Sequence, residues 1–326
     1  MNRSEIRKIG GSDVAAILGL SPWKSAHSLY LHLIGELPPQ EDNEALARGR
    51  EMEPVIAGLF AVNHCEFAVC QSGMSTRSDY PFLIGSPDRI LFDDMPVSSD
   101  GFDEPPNYSN VPVSGLEIKT ADITKMSQWG EEGTDEIPVE YLVQCQWYCG
   151  LLNVPDWYIA VGFVKPGSRK ICGYREYKIE HDPARYAAMV KCAVDFWQHH
   201  VEKRIPPEIT EPDTATVEYY RRRERKPESA VFCEPEMDEM IGELKEAQAN
   251  IKKYEKEYEL IKTKLLSEMG NAEVVIDPYS QKQMITFKAY ETASVDYKEL
   301  LAELGTADEV IEKYRRKNVL RRFCLK

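Results

Sequence analysis

The sequence predicts an α/β protein, with a central mixed sheet flanked by helices and a smaller C-terminal unit of one long helix and a short strand pair. Three observations predict it. Apolar residues recur at helical spacing through roughly the first 65 residues. Short β-branched and aromatic segments punctuated by Gly73, Pro81, Gly85 and Pro87 follow, and they alternate with further helical stretches. Near the C-terminus an apolar row runs from Met240 to Leu265 with spacings that alternate between four and three. With 326 residues, 43% hydrophobic and 29% charged, the chain is long enough for one sizeable core and a second, smaller unit.

The elements can be justified in order. Ser12 before Asp-Val-Ala-Ala-Ile-Leu predicts an N-capped helix ended by Gly19, because a serine hydroxyl accepts from the orphan amides of a first turn. A second helix starts at Ser25, carries Leu29, Leu33 and Ile34 on one face, and closes at Gly35 and Pro38. A third spans about 43–63. From Glu66 an antiparallel meander is expected, ending at Phe92. Residues 93–112 carry five acids and no base, which predicts a solvated loop before the next strand, 115–119. A helix over 138–152, strands near 156–164 and 171–179 and a helix from Pro183 to about Lys203 complete a domain over 1–205. Residues 206–230, with Pro206, Pro207 and a basic run, read as a linker. The accessory unit, 231–326, holds the long helix to Gly270, strands near 273–277 and 283–289, a helix near 295–304 and a basic tail.

Composition narrows the function. A net charge of -14 argues against a protein that coats nucleic acid nonspecifically, although a local basic strip could still meet phosphates. Eight cysteines contain no CxxC pair, which argues against a zinc ribbon or a dithiol redox site and predicts buried, reduced thiols. No window approaches the roughly 18 apolar residues of a membrane span, and the first residues lack the apolar core of a secretion signal. The expected compartment is the cytoplasm.

Three separated segments supply a kit for metal-assisted hydrolysis. In Gly115-Leu116-Glu117-Ile118-Lys119, strand alternation places Glu117 and Lys119 on one face and turns Ile118 away. Ser86-Pro87-Asp88 brings a second carboxylate beside Glu117 if the two strands pair. Two carboxylates with a strand carbonyl form an oxygen-rich set suited to Mg²⁺ or Mn²⁺, and a neighbouring lysine can offset charge that develops on a phosphodiester. Glu53, on the third helix, is a further carboxylate for the metal, directly or through water, and Gln144 can orient the nucleophile.

The segments Ile9-Gly10-Gly11-Ser12-Asp13, Leu20-Ser21-Pro22-Trp23, Arg48-Gly49-Arg50-Glu51-Met52-Glu53-Pro54, Gly85-Ser86-Pro87-Asp88, Gly115–Lys119 and Tyr141–Gln146 occur in one order over about half the chain. That ordered set resembles the PD-(D/E)XK nucleases, and within them the YqaJ-like viral recombinases related to phage lambda exonuclease. The resemblance implies a restriction-endonuclease-like fold. It implies Asp88, Glu117 and the Ile118 carbonyl as metal ligands, Lys119 as the catalytic lysine, Glu53 and Gln144 as supporting groups, and Ser12 and Ser86 as phosphate contacts. The family's upstream arginine, which grips a 5′ phosphate, falls in ungapped register on Glu5, so Arg7 is the nominee for that role.

The resemblance further implies a Mg²⁺-dependent exonuclease of phage-type recombination, acting 5′-to-3′ on double-stranded DNA ends in a phage or prophage setting. A single-strand annealing protein would be its partner, and a homo-oligomer, a ring-shaped trimer, its assembly. Two alternatives stand beside this reading: a structure- or modification-dependent endonuclease on the same core, and a noncatalytic DNA-binding recombination adaptor. Elsewhere, Trp23 is read as a staple between two helices or a wedge at DNA ends, and His199-His200 as solvated. The basic strips 221–226 and 315–322 are read as duplex contacts or simple surface charge, and the 240–265 row as intramolecular or oligomer packing.

Overall fold

The computed structural model describes residues 8–38, 42–93, 111–223, 229–289 and 300–301. The chain divides into two compact units, Met1–Arg223 and Glu224–Lys326.

The first unit opens with helix α1 (Gly11–Ile17), α2 (Ala26–Leu33) and α3 (Glu44–Asn63). Ser12 does not cap α1 as expected. The N-cap is Gly10, whose amide donates to Asp13 Oδ2 at 3.0 Å, so the carboxylate at the third helical position does the capping and Ser12 lies exposed on the first turn. Strands β1 (Phe67–Gln71), β2 (Ser75–Thr76), β3 (Ile84–Gly85) and β4 (Arg89–Asp93) follow. The expected acidic loop falls outside the described residues apart from its ends. Beyond it come β5 (Ser114–Asp122), a 3₁₀ turn over Ile123–Gln128, α4 (Val139–Leu152), β6 (Asp156–Val164), β7 (Ile171–Glu180) and α5 (Pro183–Phe196).

Five of these strands form one mixed sheet in the order β1-β4-β5-β6-β7. Neighbours are antiparallel except β5 and β6, which run parallel, because α4 carries the chain back across one face between them. This is the central mixed sheet flanked by helices that the sequence predicts. Strand periodicity divides the sheet's two faces. Leu116, Ile118 and Ala160 pack with Met52, Ile56 and Phe60 of α3. Trp157, Ile159, Val161 and Phe163 pack in the opposite layer with α4 and α5. Glu117 and Lys119 share the α4 face by the same alternation.

An ion cluster ties the end of α3 to β7. His64 lies 2.6 Å from Glu176 and 3.0 Å from Glu66, and its ring stacks on Phe60. Burial opposes a charge on His64, yet the two carboxylates outweigh it and raise its pKa above the ordinary value. The native state therefore holds that proton more tightly than the unfolded chain does. The resulting stabilisation is complete below the unfolded pKa and is lost as pH rises through the folded one. Thermal melts of the wild type and His64→Gln should differ more near about pH 6 than near about pH 9; an equal difference at both would contradict this.

The segment 206–230 is not wholly a linker. Helix α6 (Thr214–Arg222) forms within it and belongs to the first unit. Asp213 caps α6 through Thr216 N at 2.8 Å and accepts from Ser25 N at 3.0 Å, while His27 contacts the Pro207 carbonyl at 2.7 Å and the Tyr220 hydroxyl at 3.0 Å. The paired prolines and the basic run masked this docked element in the sequence.

In the second unit, α7 (Pro235–Met269) is 35 residues long and ends at Gly270, whose φ of +57° suits glycine. Strands β8 (Val274–Ile276) and β9 (Gln283–Thr286) pair antiparallel. The basic tail and nearly all of the helix expected near 295–304 lie outside the described residues. No described helix is long and apolar enough to cross a membrane. The described cysteines are all free, but only Cys145 and Cys149 are buried, so the expectation of generally buried thiols is corrected.

Candidate active site

The site is assembled where β4 begins, against the middle of β5 and beneath α4. Antiparallel pairing of Arg89 with Leu116 ends the β4–β5 ladder and leaves Asp88 at the next step, beside Glu117 and Ile118. The Ile118 amide donates to Asp88 Oδ2 at 2.7 Å. A strand residue's N–H and C=O leave on the same side of the strand. The Ile118 carbonyl therefore faces the gap beyond the end of β4, on the Asp88 side.

Glu117 occupies a core position and is only 3% exposed. Its Oε1 accepts from Lys119 Nζ at 2.5 Å and from Gln144 Nε2 at 2.8 Å. Its Oε2 is buried and has no hydrogen-bond partner among the described residues. Gln144 also accepts from Lys119 at 3.2 Å and donates to the Tyr148 hydroxyl at 3.1 Å. The ammonium of Lys119 lies 4.9 Å from the centre of the Tyr141 ring.

Electrostatics follow from this burial. Desolvation pushes the Glu117 carboxyl up to about 7, with the Asp88 charge adding to the rise and Lys119 opposing it. Asp88 is raised too, by burial first, against the pull of the Ile118 amide and Lys119. Burial alone would depress Lys119, but Glu117 more than compensates and keeps it protonated.

Asp88, Glu117, the Ile118 carbonyl, Lys119 and Gln144 are thus brought together. Glu53 stands apart: its carboxylate is 2.7 Å from Arg89, which also donates to the Asp88 carbonyl at 2.6 Å. It is near enough to raise Asp88 but is engaged by the arginine. Ser12 and Ser86 are exposed, and the glycine before each abuts the same ring. A Cβ on Gly11 or Gly85 would come within 2.8 Å or 3.1 Å of Tyr148, so only glycine lets α1 and β3 close on α4 there. Arg7 lies outside the described residues.

Sequence reasoning missed Arg89, Tyr141 and Tyr148. The helical spacing Tyr141, Gln144 or Cys145, Tyr148 was the available signal, since residues three and four apart share one helix face. Trp23 does not staple two helices: it is 67% exposed, with Lys125 Nζ 5.0 Å over its ring.

Among the described residues no group of three or more His, Cys, Asp or Glu side chains could hold a metal ion. Glu53, the available third carboxylate, is held by Arg89. The remaining donors nevertheless fit a small hard cation. They are all oxygens, two are carboxylates whose mutual repulsion and desolvation a cation would relieve, and the buried Oε2 of Glu117 has no other partner. Asp88, Glu117 and the Ile118 carbonyl would hold it.

Residues 3–151 match the YqaJ-like viral recombinase domain family. An uncharacterised protein YqaJ of Bacillus subtilis (strain 168) is 28% identical over 216 residues, 66% of this chain; the match spans 60% of that relative's length. Among solved structures, an alkaline exonuclease from Laribacter hongkongensis shares 18% identity over 62% of this chain and 91% of its own, with a TM-score of 0.44. A phage-related exonuclease from Haemophilus somnus 129PT shares 14% identity over 60% of this chain and 96% of its own, with a TM-score of 0.42.

Proposed function

We propose that this chain, which carries a YqaJ-like viral recombinase domain over residues 3–151, is a divalent-metal-dependent deoxyribonuclease. It digests linear duplex DNA from its ends, 5′-to-3′, and leaves a strand for an annealing partner in phage-type recombination within a bacterial cytoplasm. The observation that carries this reading is the buried Glu117, with one oxygen shared by Lys119 and Gln144 and the other without a partner beside Asp88.

A carboxylate at a core position is costly unless it is used. With Asp88 it provides the anionic half of a cation site. Mg²⁺ or Mn²⁺ bound there supplies Lewis-acid polarisation of the phosphoryl oxygen. Lys119, held charged by Glu117, offsets the negative charge that grows on the scissile phosphate. Gln144 and Lys119 together orient the attacking water, and Tyr148 fixes the Gln144 amide from behind. Ser12 and Ser86 lie exposed next to the glycines packed on Tyr148, where they can donate to neighbouring phosphates of the strand. The Trp23–Lys125 pair offers a ring face and a cation to an unpaired base.

The test is digestion of equal masses of linear and covalently closed circular duplex, with Mg²⁺ or with EDTA, using linear DNA labelled at either end and with 5′-phosphate or 5′-hydroxyl termini. Loss of linear DNA alone, starting from the 5′ label and abolished by EDTA, is expected. Nicked circles would make it an endonuclease, and no metal-dependent loss of either substrate would overturn the nuclease.

A further inference from the structure

Helix α7 buries none of its 35 residues, although one side of it is apolar from Met240 to Leu265. Leu244, Ile251, Tyr258 and Leu265 form one seven-residue series and are 41–64% exposed. Met240, Ala247, Tyr254 and Ile261 form a second, offset from the first by three and four residues. Two interleaved series at this spacing make the seam of a two-stranded coiled coil. A strict seven-residue repeat keeps such a seam facing a single partner helix.

We propose that α7 pairs with α7 of a second copy of this chain as an antiparallel two-stranded coiled coil, in which Leu244 lies opposite Ile261 of the other copy and Ala247 opposite Tyr258. Volume selects the direction. In the antiparallel arrangement the small Ala247 faces the large Tyr258 in two symmetric layers, and Ile251 faces Tyr254. A parallel pair in register would set Ala247 against Ala247 and each tyrosine against its own copy, leaving a void in one layer and crowding in two others.

Charge selects the register. The residues preceding the first series are Glu243, Asn250, Glu257 and Lys264, and in this register Glu243 meets Lys264 while Asn250 meets Glu257. Those following the second series are Ile241, Gln248, Glu255 and Lys262; Gln248 meets Glu255 and Ile241 meets Lys262. No like charges oppose. Sliding one helix by seven residues one way sets Glu243 against Glu257, and the other way sets both Glu255 and Glu257 against their own copies. Both slides are repulsive.

The full chain is tested by light scattering, with circular dichroism as the check on folding. Ile251→Glu should halve the mass without loss of helix content. Glu243→Lys should weaken association, and the double variant Glu243→Lys/Lys264→Glu should restore it. Ala247→Cys/Tyr258→Cys should give a disulfide-linked dimer under mild oxidation beyond the wild-type background, whereas Ala247→Cys alone should not. A wild-type chain that is monomeric overturns the proposal, whether the seam is then covered by residues 290–326 or by a different protein. So does a mass unchanged by Ile251→Glu. Cross-linking by Ala247→Cys alone overturns the antiparallel arrangement.

Discussion

Replacing Lys119 with alanine should lower the rate of linear-duplex digestion by about 10³-fold, the loss typical when a charge-stabilising donor is removed from a water-poor site. Among the described residues its ammonium is the one cation in contact with Glu117, and Gln144 is neutral. Lys119→Arg should not restore the rate, because a planar, delocalised guanidinium cannot present the same point charge to Glu117 and Gln144 that the compact ammonium does. Single-turnover digestion measures this, and binding of labelled linear DNA under EDTA separates chemistry from affinity. A variant that retains wild-type turnover would remove Lys119 from the reaction.

Asp88→Asn should act in opposite directions on activity and stability. Hydrolysis should fall by at least about 10²-fold, because half of the anionic cation site is gone. Stability in EDTA should rise by about 1 kcal/mol, or about 2–4 °C for a unit of this size. The sign follows from linkage. The folded state raises the Asp88 pKa, so the native protein holds a charge at neutral pH that it would prefer to lose. Asparagine removes that charge while its side-chain oxygen can still accept from the Ile118 amide. Thermal melts with and without Mg²⁺ read both parts, and a destabilised variant in EDTA would show that the carboxylate supports the fold. Trading stability for a reactive site is common where charges are held together for chemistry.

How much of this was legible in the sequence depended on the range of each interaction. Alternation in Gly115–Lys119 was enough to put Glu117 and Lys119 on one face, because that rule is local. The mixed sheet followed from the order of helical and strand patterns. Arg89 was not legible as a partner of Glu53, since the pair spans 36 residues and two elements, and nothing in either segment signals it. Ser12 was misread as a cap because Asp13, the next residue, competes for the same job through Gly10. The docking of α6 was hidden for a similar reason. Its anchors, Ser25 and His27, make contacts that span 188 and 193 residues of sequence. Tyr148 was within reach, for it lies four residues past Gln144 on the helix already singled out.

The placement of Glu117 in the layer between β5 and α4 constrains how this chain can change over time. On a loop, a one-residue deletion moves a side chain slightly. On β5, deleting one residue ahead of Glu117 would flip every later side chain of the strand to the other face. Glu117 would then enter the apolar layer under α3 beside Met52 and Ile56, while Ile118 would face Gln144. Chemistry and packing would fail together, so insertions and deletions among descendants of this sequence should cluster outside 114–122 even where substitutions within it are accepted.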